Sequence, residues 1–334
     1  MALPKEIVVF KGSPSGKPVK TSITSKSNLE PHEVAIRVTH SGICGTDEHY
    51  LQIDMVLGHE GVGTVEAVGS GVAEIKIGDR VGFGYVRDGC GHCSWCIQGR
   101  YYYCSQSRQF GVSDFNQGSW SNFAIWPETL IQRIPDDITS AEAAALMCAG
   151  ITGFIPLMRN DVRPTDRVGI VGLGGLGHLA TQFASKMGCE VVVFSSSERK
   201  RGEAVKLGAT EFHPVKDLET SKPKGIDHLI TTTAKHPDWR TFLNFMNPFG
   251  KVHLLAASSE DLVIPYTPVL TKELSFHGSC TYTPTEFSKM LEFAARHSIK
   301  PLVDQFPMTE EGISEALRKL GSGEIRYRGV VVVQ

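Results

Sequence analysis

The chain has no uninterrupted apolar run of the ~20 residues that a membrane-spanning helix needs. Its start, Met-Ala-Leu-Pro-Lys-Glu, lacks a charged region leading into a long apolar stretch, so no secretory leader is expected. Neither sign of charge dominates. There are 34 Lys and Arg against 36 Asp and Glu, a formal charge of −2, and the pI is near 6.6. Without a basic patch, nucleic acid and anionic membranes are poor candidates for the main partner. Internal repeats and low-complexity segments are also missing, which excludes solenoids and biased tails. What is present is ordinary: 41% hydrophobic and 21% charged residues over 334 positions. That is a soluble globular composition, long enough for about two domains at roughly 150 residues each. A cytoplasmic setting is expected, and the eight cysteines then suit metal binding better than a disulfide framework.

The organisation changes along the chain. Up to about residue 150, short β-type runs such as Val34-Ala-Ile-Arg-Val-Thr and Gly63-Thr-Val-Glu-Ala-Val alternate with glycine turns, which predicts a compact barrel-like β domain. Ala141-Glu-Ala-Ala-Ala-Leu-Met is then a run of helix formers. From about 166, strands alternate with helices. The strands are expected at 168–171, 190–194, 211–213, 227–232, 251–256 and 274–278, with helices at 178–187, 198–207 and 285–297. Such alternation predicts an α/β doubly wound parallel sheet of six strands. The closing Arg328-Gly-Val-Val-Val-Val is expected to be a strand that packs back on the first domain.

Two groups of metal-ligand residues lie in the first part. Cys90, Cys93, Cys96 and Cys104 stand at C-x2-C-x2-C-x7-C spacing. Four thiolates so close satisfy one tetrahedral Zn²⁺ with no open position, as structural sites do. Two local disulfides are the alternative, and they need an oxidising compartment that nothing here suggests. The second group is Cys44, His59 and Cys148. A Cys₂His set leaves one zinc position for water or substrate. Each of the three has a bland reading by itself, in the core or on the surface; the combination carries the expectation.

Val168-Gly-Ile-Val-Gly172-Leu-Gly174-Gly175-Leu176-Gly177 reads as a strand running through a glycine turn into a helix. Gly172 permits the turn, Gly174 lets backbone approach a pyrophosphate, and Gly177 lets helix and strand pack closely. The next strand ends in Ser195-Ser196-Ser197-Glu198-Arg199-Lys200, with no carboxylate at its end for a ribose 2′-hydroxyl. Hydroxyls and cations there suit a 2′-phosphate, so NADP(H) is expected over NAD. A solvated helix cap is the plainer alternative.

On Gly42-Ile-Cys44-Gly-Thr46-Asp47, Gly58-His59-Glu60-Gly-Val-Gly63, Gly78-Asp79-Arg80-Val81-Gly82, the four-cysteine loop, Cys148-Ala-Gly-Ile-Thr152, the glycine fingerprint and Arg326-Tyr-Arg-Gly, the chain resembles the zinc-dependent medium-chain alcohol dehydrogenases. The cinnamyl alcohol dehydrogenase-like branch is the most similar. The resemblance implies a GroES-like β-rich catalytic domain, 1–152 with 289–334, holding both zinc sites. It also implies a Rossmann dinucleotide-binding domain, 153–288. It implies that Cys44, His59 and Cys148 hold the catalytic zinc with Glu60 beside it, that Asp47 orients His59, and that Thr46 and His49 form a proton relay. Thr152 would lie beside the nicotinamide, Ser196, Ser197 and Lys200 at the 2′-phosphate, and Arg328 near the pyrophosphate and Glu60. A homodimer through the Rossmann domains, with its interface near 274–280, is implied as well. Cys189 and Cys280 match no ligand position and read as packing residues.

The expected chemistry is hydride transfer between a nicotinamide and an alcohol or aldehyde. One departure bears on it. Only fourteen residues separate Cys44 from His59, where relatives carry a longer segment that helps wall the substrate cleft; a wider mouth or a reshaped pocket is expected. Tyr50, Phe110, Trp120 and Ile151 are the candidate pocket residues, with Trp120 equally suited to the core. Two other functions compete: reduction of an activated alkene with the same cofactor, and NADPH binding without turnover in a zinc-stabilised protein.

Overall fold

The computed structural model describes residues 3–334, which divide into two compact units. One runs up to Cys148 and resumes at Thr281–Gln334; the other is Ala149–Cys280. These borders fall at 148/149 and 280/281, four and eight residues before the expected 152/153 and 288/289.

The first unit is built on a seven-stranded sheet. Its order is Val303–Pro307, Arg328–Val332, Glu33–Ile43, Gly61–Val68, Arg80–Phe83, Gln132–Arg133, with Phe123–Pro127 paired to Glu33–Ile43 off that path. Val34, Ile36, Val38, Val65, Val81, Phe83 and Trp126 fill one core cluster. β-Branched and aromatic residues suit such a pleated, buried surface. The pairings that matter for function are Ser41 with Gly61 and Gly329 with Ile43, both antiparallel. Antiparallel neighbours place the end of one strand beside the start of the next. Ile43, Gly61 and Arg328 therefore lie at one end of the sheet.

The second unit is a six-stranded parallel sheet ordered Glu211–Pro214, Glu190–Ser195, Arg167–Val171, Ile226–Thr231, Met246–Leu254, Ser275–Gly278. Its strands are nearly continuous apolar runs: Val191, Val192, Val193 and Phe194 are fully buried. That pattern fits a sheet covered on both faces. The strand order reverses at Arg167–Val171, and ligands bind beyond the carboxyl ends of strands at such a point.

One helical stretch, Ser140–Arg159, has the length and mean hydropathy (1.6) of a membrane span, but 78% of that window is buried within the folded chain. A buried core helix meets the same test of length and composition. Within it, Leu146–Gly150 is a π-turn. Such turns carry an extra residue and often mark functional positions.

Candidate active site and metal centres

The first centre forms where those three strand ends meet. Cys44 leaves its strand and caps the short helix Gly45–Glu48, and its backbone N–H donates to Asp47 Oδ2 at 2.9 Å. The other oxygen of Asp47 accepts from His59 Nδ1 at 3.0 Å. Both residues are buried. This fixes the imidazole tautomer and leaves the Nε2 lone pair free. Nε2 is buried without a hydrogen-bond partner. Cys148 arrives from the π-turn. One donor atom from each of Cys44, His59, Glu60 and Cys148 lies within 4.8 Å of the others. A lone pair aimed into a buried cluster with two thiols is the donor set of a zinc site.

The electrostatics point the same way. Hydrogen bonding with Cys148 holds Cys44 well below the ordinary thiol range, and the neighbouring Cys44 pushes Cys148 well above it. Burial alone lowers His59, but the Asp47 carboxylate outweighs it and raises the imidazole. Burial raises Glu60 to about 7 against the opposing charge of Arg328. Crowded acids that cannot all ionise together are what a bound cation relieves. Arg328 Nη2 meets both Glu60 oxygens at 2.5 and 2.6 Å, and Glu60 Oε1 stands 3.8 Å from His59 Nε2. The carboxylate thus sits between a cation and a donor set. Gly42 makes room for it: a Cβ there would stand 2.0 Å from Glu60 Oε2.

Thr46 Oγ1 lies 3.6 Å from Cys44 Sγ, and His49 is exposed at the end of the same helix. Phe110 and Tyr85 wall the imidazole of His59, at 5.1 and 5.9 Å between ring centroids. Tyr50 closes edge-on against Phe110 at 5.4 Å. The short connection after Cys44 is tied to the residues that follow the strand Glu6–Lys11: Ser13 N–H donates to Leu51 O, and Gly12 N–H to Met55 O. Trp120 is wholly buried, with its indole N–H on Gly42 O at 3.4 Å, and belongs to the core. Tyr85 carries no sequence signal of its own. Tyr282 is a second residue the sequence leaves silent. Burial raises its phenol, with Cys148 and Glu60 adding to the effect.

The second centre is the loop of Cys90, Cys93, Cys96 and Cys104, whose sulfurs also lie within 4.8 Å of one another. All four are free thiols, so the disulfide alternative is not what the loop adopts. Backbone N–H groups already point at the sulfurs: Cys93 N to Cys90 Sγ at 3.3 Å, Cys90 N and Gln106 N to Cys104 Sγ at 3.4 Å. The N–H groups of His92 and Cys93 pull Cys90 down to about 6, while burial pushes Cys96 up to about 12. Of the two remaining cysteines, Cys189 is buried, with Sγ 3.3 Å from Arg163 O. Cys280 is exposed rather than packed, because it follows a strand at the sheet edge.

In the second unit, the helix Gly177–Lys186 starts directly after the glycine turn. Gly177 is sterically required: a Cβ would stand 1.8 Å from Gly172 O. Gly174 and the space above it are open. That combination of tight packing and open backbone is what a pyrophosphate cradle needs. Lys200 reaches back to Leu173 O at 2.7 Å, so its ammonium lies at the glycine loop. Glu198 is paired with Arg201. Ser196 and Arg199 are exposed, and Ser197 is half-buried. Ser195 is buried and accepts from Ser197 N–H at 3.3 Å. Thr152 lies on the helix Ile151–Arg159, half-buried beside the wholly buried Ile151.

Residues 30–136 match the family model described as the alcohol dehydrogenase GroES-like domain, and residues 175–296 match that of the zinc-binding dehydrogenases. The chain is 34% identical over 317 residues to an aldehyde reductase of Synechocystis, covering 91% of this chain and 92% of the relative. It is 33% identical over 328 residues to an NADP-dependent alcohol dehydrogenase of Mycolicibacterium smegmatis, with 93% of each chain covered. Among solved structures it is similar to a cinnamyl alcohol dehydrogenase of Sorghum bicolor, with a TM-score of 0.91, 30% identity and 98% of both chains covered.

Proposed function

Because the chain belongs to the zinc-binding alcohol dehydrogenases, we propose that it is an NADP(H)-dependent alcohol dehydrogenase and aldehyde reductase that carries one catalytic and one structural Zn²⁺. The observation that carries this reading is the buried, partnerless Nε2 of His59 facing Cys44, Cys148 and Glu60. When bound, the metal polarises an alcohol or carbonyl oxygen and the nicotinamide exchanges the hydride.

The chain's own residues do the rest. Asp47 holds His59 in the tautomer that presents Nε2. Thr46, beside Cys44, would accept a hydrogen bond from the alcohol and hand on its own hydroxyl proton as the alcohol's proton arrives, and exposed His49, at the far end of the relay, would release a proton to solvent. Tyr85, Phe110 and Tyr50 form an apolar aromatic wall that favours a flat or apolar aldehyde over a charged one. Arg328 holds Glu60 next to the metal ligands. The open backbone at Gly174 and the ammonium of Lys200 suit the cofactor phosphates, and Ser195, Ser196, Ser197 and Arg199 complete the set at the strand end. Thr152 supplies the contact beside the nicotinamide. A reducing cytoplasmic setting, which keeps thiols free, goes with both metal centres. The working molecule is a homodimer joined through the open edge strand Ser275–Gly278.

Zinc content by elemental analysis, paired with NADPH oxidation over an aldehyde panel, tests the reading. Two zincs per chain with turnover is the expected result. Cys148→Ala then retains one zinc and loses turnover. One zinc and no turnover in the native chain overturns the reading in favour of a nucleotide-binding protein. Turnover of conjugated alkenes alone points to the 1,4-reductase.

A further inference from the structure

The backbone of Glu60 is held by a closed circuit of hydrogen bonds that the chemistry above leaves unused. Its N–H donates to Ser119 Oγ at 3.1 Å. Ser119 Oγ lies 2.6 Å from Ser41 Oγ, and Ser41 Oγ lies 3.2 Å from Gly42 O. Gly42 N–H donates to Glu60 O at 3.0 Å, which closes the ring. The carbonyl of Gly42 sets the direction of the chain. Gly42 O can only accept, so the Ser41 proton goes to it; Ser119, which accepts from Glu60 N–H, then donates its own proton to Ser41. Ser41, Ser119 and Glu60 are all wholly buried, so no solvent competes for these hydroxyls. Trp120 Nε1–H also reaches Gly42 O, at 3.4 Å.

The ring has a consequence for the carboxylate. N–H and C=O of Glu60 are both tied, which restrains its Cα, and its side chain occupies the space that a Cβ on Gly42 would fill. From there the carboxylate meets Arg328 on one side and His59 Nε2, 3.8 Å away, on the other. We propose that Ser119 and Ser41 are positioning residues that hold Glu60 where its carboxylate is shared between Arg328 and the metal ligands. The proposal rests on the reading that Glu60 acts at the metal, and it deepens that reading by naming what places it. Two serines far apart in sequence do for Glu60 what Asp47 does for His59.

The test follows zinc release from the intact enzyme to a chelating dye. The catalytic-site phase is the one that disappears in Cys148→Ala. Glu60→Gln should accelerate that phase about tenfold, and Ser119→Ala about fivefold. In the Glu60→Gln background, Ser119→Ala should add nothing, because the group it positions is gone. A merely structural serine would accelerate release by the same factor in both backgrounds, and that result overturns the proposal, as does no effect of Ser119→Ala while Glu60→Gln accelerates. No effect of Glu60→Gln removes the underlying reading of Glu60 itself. Ser41→Ala breaks the same ring from its other side and serves if Ser119→Ala does not fold; thermal melting monitors this. Its effect should likewise vanish in the Glu60→Gln background.

Discussion

At Ser195 one substitution should separate the two nicotinamide cofactors. Its hydroxyl accepts from Ser197 N–H, and it ends the strand that follows the glycine turn. A carboxylate at that strand end bonds a ribose 2′-hydroxyl and repels a 2′-phosphate. Ser195→Asp keeps an acceptor for Ser197 N–H, so the local turn survives. KM for NADPH should rise at least tenfold, while KM for NADH stays level or falls. Steady-state kinetics with both cofactors decide it, and an unchanged preference would place the 2′-phosphate elsewhere. Much of this residue scale was legible beforehand. Ligand chemistry is stated by residue type and spacing in the four-cysteine loop and the glycine turn. The pairing of Glu198 with Arg201 was not, because nothing in a charged run says which cation takes which anion. The hydroxyl ring around Glu60 was silent too: Ser41 and Ser119 are common residues 78 positions apart, and they meet because Ser41 pairs with Gly61 while Ser119 N–H donates to Gly58 O.

Among elements, the histidines of the parallel sheet should make stability depend on pH. Asp166 Oδ2 meets His228 Nε2 at 3.3 Å, His228 Nδ1 meets His253 Nε2 at 3.1 Å, and the ring of His253 stacks on that of His277 at 5.6 Å. They come from three adjacent strands, Ile226–Thr231, Met246–Leu254 and Ser275–Gly278. Burial holds His253 down at about 3, with His228, His277 and Lys251 adding like charge, and burial lowers His228 as well. The unfolded chain takes up the His253 proton near pH 6.5 and the folded chain only near 3. The folded state therefore has full stability above 6.5 and loses it as pH falls from 6.5 toward 3, by up to about 1.4 kcal/mol per pH unit for this one proton. His253→Gln should flatten the fall in urea midpoint between pH 7.5 and 5.5. Equal slopes in both proteins would show that His253 protonates freely. Sequence periodicity cannot reveal this ladder, since its members are about 25 residues apart and meet only through register. The alternation of strands and helices was legible, because buried parallel strands are continuous apolar runs. The π-turn at Leu146–Gly150 was not, because its residues are ordinary helix formers and the extra residue shows only in the hydrogen bonding.

In the whole molecule, among the described residues, the second unit's sheet has two edge strands, Glu211–Pro214 and Ser275–Gly278, and the second is the one with large apolar side chains exposed beside it. Ser275–Gly278 is last in the order, with Met246–Leu254 as its single neighbour. Free edges with exposed N–H and C=O groups are usually covered, charged or twisted away. Here the flanking segments carry the opposite of a deterrent. Val263 is 77% exposed, Tyr266 76% and Leu270 60%, and Phe249, beside Lys272, is exposed as well. Large apolar side chains standing in water next to an open edge mark an interaction surface. A second copy of the chain satisfies both needs at once, since a two-fold axis makes the edge and the apolar residues self-complementary. Sedimentation should therefore give a species of twice 36.5 kDa at micromolar concentration. Leu270→Glu with Tyr266→Glu places four carboxylates across that axis and should shift the molecule to the monomer without altering zinc content. A native chain that sediments at 36.5 kDa would refute the dimer and leave the edge to be covered by something else.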